Sequence, residues 1–388
     1  MKKVIPYGRQ SIDKSDIKSV TKALKSNYLT TGPLTKIFEL KFKNYVGSKY
    51  AVSCSSGTSA LHLALLSLNI KNGDVVILPV INFIASVNMA HILGAKIYFA
   101  DVNKLNGQMT PETLQMCIKQ NNLKKIKAVI TMYNGGSPNN AKEFYKLKRK
   151  YNFFLIEDAC HALGAKYDKS ANLKVGSCRY SDLATFSLHP IKSMTTGEGG
   201  IISTNKKDLY NKIALLKNHG IFKKNLKGIN NWNYEIILPG YNYRLSDISC
   251  ALGISQIKKL NKFIFKRNKI FNFYKKRLST LNNLIFLPSK NNNQLSANHL
   301  FVIIINKKKL KISRELLMQK LYIKGIISQV HYIPIYKHPY YKKLCKGTFH
   351  EAKSYFANCL SLPIYPDLKL VELKKIVSTL EKILKKNK

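Results

Sequence analysis

A chain of 388 residues, 45% of them hydrophobic, can bury a large core and divide into two domains. Its formal charge of +45 invites a nucleic-acid reading, but the excess is uneven: Lys71 and Lys96 are the only lysines between Ala51 and Ala100, whereas 258–290 and 368–388 are crowded with them, and no recognition motif accompanies the charge. The seven cysteines are dispersed without a CxxC pair or metal-ligand spacing, which predicts reduced thiols in a cytoplasmic protein, with no disulfide framework and no metal.

In chain order, Met1 to Arg9 lacks the apolar core of a signal peptide. The run Tyr50–Cys54 reads as a strand leading into a helix from Thr58 to Leu68. Between them, Ser53-Cys-Ser-Ser-Gly57-Thr58 offers hydroxyls, a glycine and the N–H groups of a helix start, which suit a phosphate and equally an ordinary N-cap. Val75–Val80 is the next strand; with Ile81–Ala85 it forms the longest apolar stretch, which Pro79 and Asn82 interrupt and which is too short to span a bilayer. Phe83 follows, just before a helix from Ala85 to Leu93, where it could stack on an aromatic ligand or simply pack in the core.

Lys96–Ala100, Ala128–Met132 and Phe153–Ile156 are further strands, with a helix from Asn140 to Tyr151 between the last two. Strands this uniformly apolar belong in a sheet covered on both faces, so a mostly parallel α/β layer structure is predicted. Ligands gather at the carboxyl ends of such strands, where Glu157-Asp158-Ala-Cys-His161 stands. Asp158 there could pair with a cationic ring nitrogen such as that of pyridoxal phosphate, or could cap a helix. Between the apolar runs Leu183–Leu188 and Ile201–Ile202, Lys192 is flanked by Ser187, His189 and a glycine-rich turn. A lysine that bonds an aldehyde must be neutral to attack, and partial burial lowers its pKa; the alternative is a surface lysine on a flexible loop.

From Ile248 to Leu278 one long helix is predicted, with Gly253 its weak point. Then come a strand (299–305), a helix (313–324), a strand (326–331) and a lysine-rich terminal helix (368–386), a smaller α+β domain. The expected division is residues 1–247 and 248–388, with the asparagine-rich 290–294 an exposed loop.

Phosphate turn, aromatic residue, acid and lysine occur in that order. With Leu29-Thr-Thr-Gly-Pro33, Ser56-Gly-Thr-Ser-Ala-Leu61, Glu157 to Ala165, Ser187-Leu-His-Pro-Ile-Lys192, Thr196-Gly-Glu-Gly-Gly200 and Gly240-Tyr-Asn-Tyr-Arg-Leu-Ser-Asp247, the chain resembles the DegT/DnrJ/EryC-type sugar aminotransferases from about Ile5 to near its C-terminus. The resemblance implies the type I, aspartate-aminotransferase fold and pyridoxal 5′-phosphate as cofactor. It implies that Lys192 bonds the cofactor, Asp158 holds the ring nitrogen, Phe83 stacks on the ring and His161 sits near the ring hydroxyl, where many relatives have glutamine. Gly57, Thr58 and Ser187 would bind the phosphate, and Asn242 would reach it from the partner subunit of a homodimer. A branch with histidine in place of the lysine dehydrates its substrate; Lys192 argues against that branch.

Asn218-His-Gly-Ile221, Gly240 to Leu260, Val330-His-Tyr-Ile-Pro-Ile-Tyr336 and Cys359-Leu-Ser-Leu-Pro363 are similar to the branch serving pseudaminic-acid biosynthesis. That branch takes glutamate and a UDP-linked 4-keto-6-deoxy-N-acetylhexosamine, aminating C4 to give UDP-4-amino-4,6-dideoxy-N-acetyl-β-L-altrosamine. Asn134-Gly-Gly-Ser-Pro138 and the stretch 223–239 depart from it, in loops that could line the sugar pocket. His331, Tyr332 and Arg244 are candidate substrate contacts; core packing for the first two and an interface ion pair for Arg244 are the alternatives. The rival readings are another nucleotide-sugar 3- or 4-aminotransferase, and a basic regulatory or nucleic-acid-binding protein on a disused enzyme fold. Lys192 and Asp158 together disfavour the second. No nucleic-acid or membrane partner is expected.

Overall fold

The computed structural model describes residues 4–223, 232–289 and 293–388. Two amphipathic helices, α1 (Lys14–Leu24) and α2 (Pro33–Val46), precede the first strand. α1 begins at a reciprocal cap in which Asp13 accepts from the Asp16 N–H and Asp16 from the Asp13 N–H. α2 opens with Pro33, whose missing N–H is an orphan at a helix start in any case.

Strands and helices then alternate: β1 (Tyr50–Cys54), α3 (Gly57–Ser67), β2 (Val75–Pro79), α4 (Ile84–Ile92), β3 (Lys96–Ala100), α5 (Pro111–Gln120), β4 (Ala128–Met132), α6 (Ala141–Tyr151) and β5 (Phe154–Asp158). A small hairpin of β6 (Lys166–Asp168) and β7 (Leu173–Lys174) separates these from β8 (Leu183–Ser187) and β9 (Gly200–Thr204). The central sheet has seven strands in the order β1-β9-β8-β5-β4-β2-β3. It is parallel from β8 through β5, β4 and β2 to β3, as the unbroken apolar runs predict, while β9 runs antiparallel to both its neighbours. Because Ser187 pairs with Gly200, residues 188–199 form the closed end of a β8–β9 hairpin and carry Lys192 at the sheet's rim. Asp158 lies in register with Met132 on one side and Thr185 on the other, so it ends its strand at the same rim.

α7 (Lys207–Leu216) and a two-stranded ribbon, β10 (Ile221–Phe222) with β11 (Glu235–Ile236), lead to α8 (Asp247–Ile257) and α9 (Leu260–Leu278). The single helix expected over 248–278 is therefore two, and Gly253 is not where it breaks. α8 packs on α1 and α2 so closely that a Cβ on Gly253 would come within 2.7 Å of the Phe38 ring. The break falls at 258–259, where the Lys259 ammonium turns to the Asp13 and Asp16 carboxylates at 2.8 and 2.6 Å and α9 departs toward the second sheet.

That sheet is antiparallel: β12 (Ile285–Phe286), β13 (Phe301–Ile305) and β14 (Cys359–Leu362). It packs with α9, α10 (Arg314–Ile323) and α12 (Leu370–Lys385) around its own apolar core, which Ile5 joins; α11 (His350–Asn358) leads into β14. The strand expected at 326–331 is absent. Ile327 donates to the Ile5 carbonyl and Gln329 exchanges hydrogen bonds with Ser361, so the segment touches a different partner at each bridge and builds no ladder. It instead delivers His331 and Tyr332 toward the central sheet's rim. Most of the loop expected at 290–294 lies outside the described residues, as do residues 224–231 of the unmatched stretch 223–239.

Candidate active site

A cavity of about 560 Å³ opens at the carboxyl ends of the parallel strands. Lys192, Asp158, Gly57, Thr58 and Ser187 line it, and so do Phe83, His161, His331 and Tyr332. Asn242 and Arg244 do not line it: Asn242 is exposed and bridges Asn218, and Arg244 donates to the Asn218 side chain at 2.8 Å. The unmatched Asn134–Gly136 turn also stays behind the cavity wall and borders a second, smaller cavity of about 250 Å³.

The loop carrying Lys192 is pinned. The Lys192 N–H donates to the His189 carbonyl at 2.9 Å, Leu188 and Gly199 pair through their backbones, and the Thr195 hydroxyl donates to the Leu188 carbonyl at 3.0 Å. Desolvation lowers the pKa of the half-buried Lys192 amine, while Cys160 and Asp158 pull it back up. Asp158 is buried; desolvation raises its pKa, and the Cys160 backbone N–H donating at 3.2 Å and the Lys192 charge act against that rise. Its neighbour Glu157 points to the opposite face of β5, where it accepts from Tyr133 and Tyr167 at 2.6 and 2.5 Å. The two adjacent carboxylates thus divide between core and rim.

At the other end of the cavity Ser56 caps α3, accepting from the Ser59 N–H at 3.1 Å, and the first N–H groups of the helix have no helical acceptor. A Cβ on Gly57 would meet Ser187 Cβ at 2.8 Å, and one on Gly200 would meet the Ser56 carbonyl oxygen at 2.0 Å. β1, β8 and β9 therefore close around the turn, leaving a cradle of N–H groups and hydroxyls shaped for an anion. Gly200→Ala is expected to destabilise the protein by about 2 kcal/mol or more, because the obstacle is backbone rather than a movable side chain. Urea unfolding measures this; an alanine variant of unchanged midpoint would mean the turn has slack.

A ring acceptor of protons fits the remaining wall. The half-exposed Phe83 lies 5.8 Å from the Tyr332 ring, centroid to centroid, and the two line the cavity with Asp158. An aldehyde-reactive amine, a carboxylate, aromatic faces and an anion cradle in one cavity are what pyridoxal 5′-phosphate requires. Sequence reasoning missed Tyr7, which lines the cavity 5.7 Å from the His331 ring, and His299, whose tilted ring lies 4.2 Å from that of His161. Both come from segments remote in sequence from the strand ends that form the rim, and no local pattern marks them. His331, bonded to Ser361 at 2.9 Å, is lowered by burial to about 3 and is neutral.

Residues 10–381 match the DegT/DnrJ/EryC1/StrS aminotransferase family. The chain is 40% identical to the UDP-4-amino-4,6-dideoxy-N-acetyl-beta-L-altrosamine transaminase of Campylobacter jejuni over 386 residues, covering 99% of each chain. It superposes on PseC of Helicobacter pylori, an aminotransferase involved in the biosynthesis of pseudoaminic acid, with a TM-score of 0.90 at 29% identity, over 99% of this chain and 100% of that one. Spr1654 of Streptococcus pneumoniae, solved in its PLP form, matches with a TM-score of 0.89 at 26% identity over 99% of each chain.

Proposed function

The chain belongs to the DegT/DnrJ/EryC1/StrS aminotransferase family, and on that premise we propose that it transfers the amino group of glutamate to C4 of a UDP-linked 4-keto-6-deoxy-N-acetylhexosamine, giving UDP-4-amino-4,6-dideoxy-N-acetyl-β-L-altrosamine. Its fold is that of the type I aminotransferases, and its cofactor is pyridoxal 5′-phosphate. When bound, the cofactor supplies an electron-poor ring that takes up the electron pair left by a departing proton. The observation that carries the reading is the meeting of Lys192, Asp158 and the Gly57–Ser187 cradle in one cavity.

In this reading Lys192 has two tasks. Its amine, whose pKa burial lowers, holds the cofactor; once displaced, it takes the proton from the amino-acid carbon and later delivers one to sugar C4 from a single face. Asp158 faces the ring nitrogen and keeps its proton in place, a cationic neighbour in turn keeping this buried carboxyl ionised. Gly57, Thr58 and Ser187 take the phosphate, and Phe83 covers the ring. His331, delivered with Tyr332 to the cavity by the segment after Ile326, meets the sugar.

The working unit is proposed to be a homodimer, with Asn242 completing the partner's phosphate site. Supporting this, Asn242 bridges Asn218, shortly before β10, and Phe222 and Ile236 of the β10–β11 ribbon are exposed, as are Trp232 and Tyr234 just before β11, an apolar surface a second subunit would cover. Arg244 is then an interface residue oriented by Asn218. The seven unpaired cysteines suit the cytoplasm, and among the described residues no helix is long and apolar enough to cross a membrane.

A panel of UDP-, GDP- and dTDP-ketosugars tests the substrate. With glutamate, the 4-keto-6-deoxy-N-acetylhexosamine linked to UDP is expected to give the highest kcat/KM, with one 2-oxoglutarate released per aminosugar. Faster amination of a 3-ketosugar or a dTDP-linked sugar would replace this assignment with the other nucleotide-sugar aminotransferase reading.

A further inference from the structure

The Asn134–Gly136 turn, which the sugar site does not use, lies directly behind His161. The Gly135 backbone N–H donates to His161 Nδ1 at 3.4 Å. A backbone N–H can only donate, so Nδ1 carries no proton. The ring is neutral: burial holds its pKa well below the usual histidine value, and the charges of Lys192 and Arg267 act in the same direction. Its one proton therefore sits on Nε2, which lies 2.9 Å from the Tyr332 hydroxyl oxygen. His161 is the donor in that bond and Tyr332 the acceptor, which leaves the tyrosine's own proton free to be given elsewhere.

The surroundings hold this arrangement in place. The His299 ring packs, tilted, against the His161 ring, and the His299 backbone N–H donates to the Gly135 carbonyl at 3.0 Å, closing the turn against the imidazole pair. Behind them Arg267, wholly buried on α9, donates to the His299 carbonyl at 3.2 Å and the Ile364 carbonyl at 2.9 Å. A cation fixed there disfavours a second one on either imidazole. Tyr332 faces Asp158, Cys160 and Tyr7, and burial with these neighbours holds its hydroxyl far above the usual tyrosine pKa, so it remains a donor.

We infer that Tyr332 is a catalytic residue whose hydroxyl donates a hydrogen bond to the oxygen substituent of the cofactor ring, and that His161 is a positioning residue acting through it. The inference rests on the aminotransferase reading. It also reassigns His161, whose Nε2 is occupied by Tyr332 and does not itself point a donor at the ligand.

A donor on that oxygen stabilises its negative charge and loosens the proton it shares with the adjoining nitrogen, lowering the pH at which the bound chromophore changes colour. Removing the donor strengthens the proton's hold. In Tyr332→Phe loaded with pyridoxal phosphate, the pH midpoint of the visible absorbance is expected to rise by about one unit relative to the loaded wild type. The second measurement needs no variant: ¹⁵N NMR of the wild type at neutral pH should show His161 with a bare Nδ1 and a protonated Nε2. A loaded variant with an unchanged midpoint overturns the inference while leaving the aminotransferase reading intact, and so does a protonated Nδ1. A wild type that takes up no cofactor removes the premise and the inference together.

Discussion

Lys192→Ala should lower turnover at least about a thousandfold and abolish the yellow colour the protein takes on with pyridoxal phosphate. Two roles end at once, because in the proposed mechanism the amine that holds the cofactor is also the group that moves the proton. No other lysine lines the cavity among the described residues, so none can substitute from its present place. Folding should survive. Since burial lowers the Lys192 pKa below its ordinary 10.5, the unfolded chain binds more protons at this site than the folded one over the interval between the two values. Wild-type stability therefore gains from this residue as pH rises through that interval, and the amine is a burden below it. Alanine removes the burden and the slope together, so denaturation at neutral pH should shift by no more than about 1 kcal/mol, from lost contacts of the lysine stem. A yellow, active Lys192→Ala protein would end the assignment.

The parts of this site that were legible in the sequence are those set by short-range rules. β1 to β5 announce themselves as apolar runs bounded by polar residues, and a helix must start after Ser56 because a serine cap and a glycine stand where an apolar periodicity begins. Asp158 and Lys192 could be put at a common rim because parallel strands end on one edge. What could not be read depends on contacts between distant segments. Nothing local in residues 248–278 marks 258–259 as a break; Asp13 and Asp16, more than two hundred residues earlier, draw Lys259 out of line. Nothing local in 326–331 says that its two neighbours are Ile5 and Ser361, and without that knowledge its β-branched residues read as a strand. The stretch Asn134–Pro138 departs from the resembled pattern and on sequence alone could line the sugar pocket, yet its glycines serve the back of His161: a Cβ on Gly136 would meet the His161 carbonyl oxygen at 2.5 Å. Burial of Lys192, too, follows from the closed hairpin and the pinned loop, neither of which its flanking residues reveal alone.

Asp158→Asn separates catalysis from stability more sharply than any other change in the cavity. The carboxyl's pKa is raised by desolvation above its ordinary 3.8, so the folded protein holds a proton here that the unfolded chain has already released. Through the window from 3.8 up to that raised value, wild-type stability falls as pH rises, and above the window the full penalty of the buried charge remains. An asparagine carries no charge to desolvate, and its side-chain oxygen can still accept from the Cys160 N–H that Asp158 holds at 3.2 Å. At pH 7 the variant should therefore be at least as stable as the wild type in urea, and its stability should lack the decline on leaving acid. Turnover should behave in the opposite way. An amide offers no negative charge to keep the ring nitrogen protonated, so the electron pair released at the amino-acid carbon loses its sink, and kcat should fall about a thousandfold. Loading with pyridoxal phosphate should persist, because Lys192 and the Gly57–Ser187 cradle are untouched. A variant that is yellow, stable and fully active would show that the ring nitrogen has another partner; one that is unstable and inactive in proportion would reduce Asp158 to a structural carboxylate.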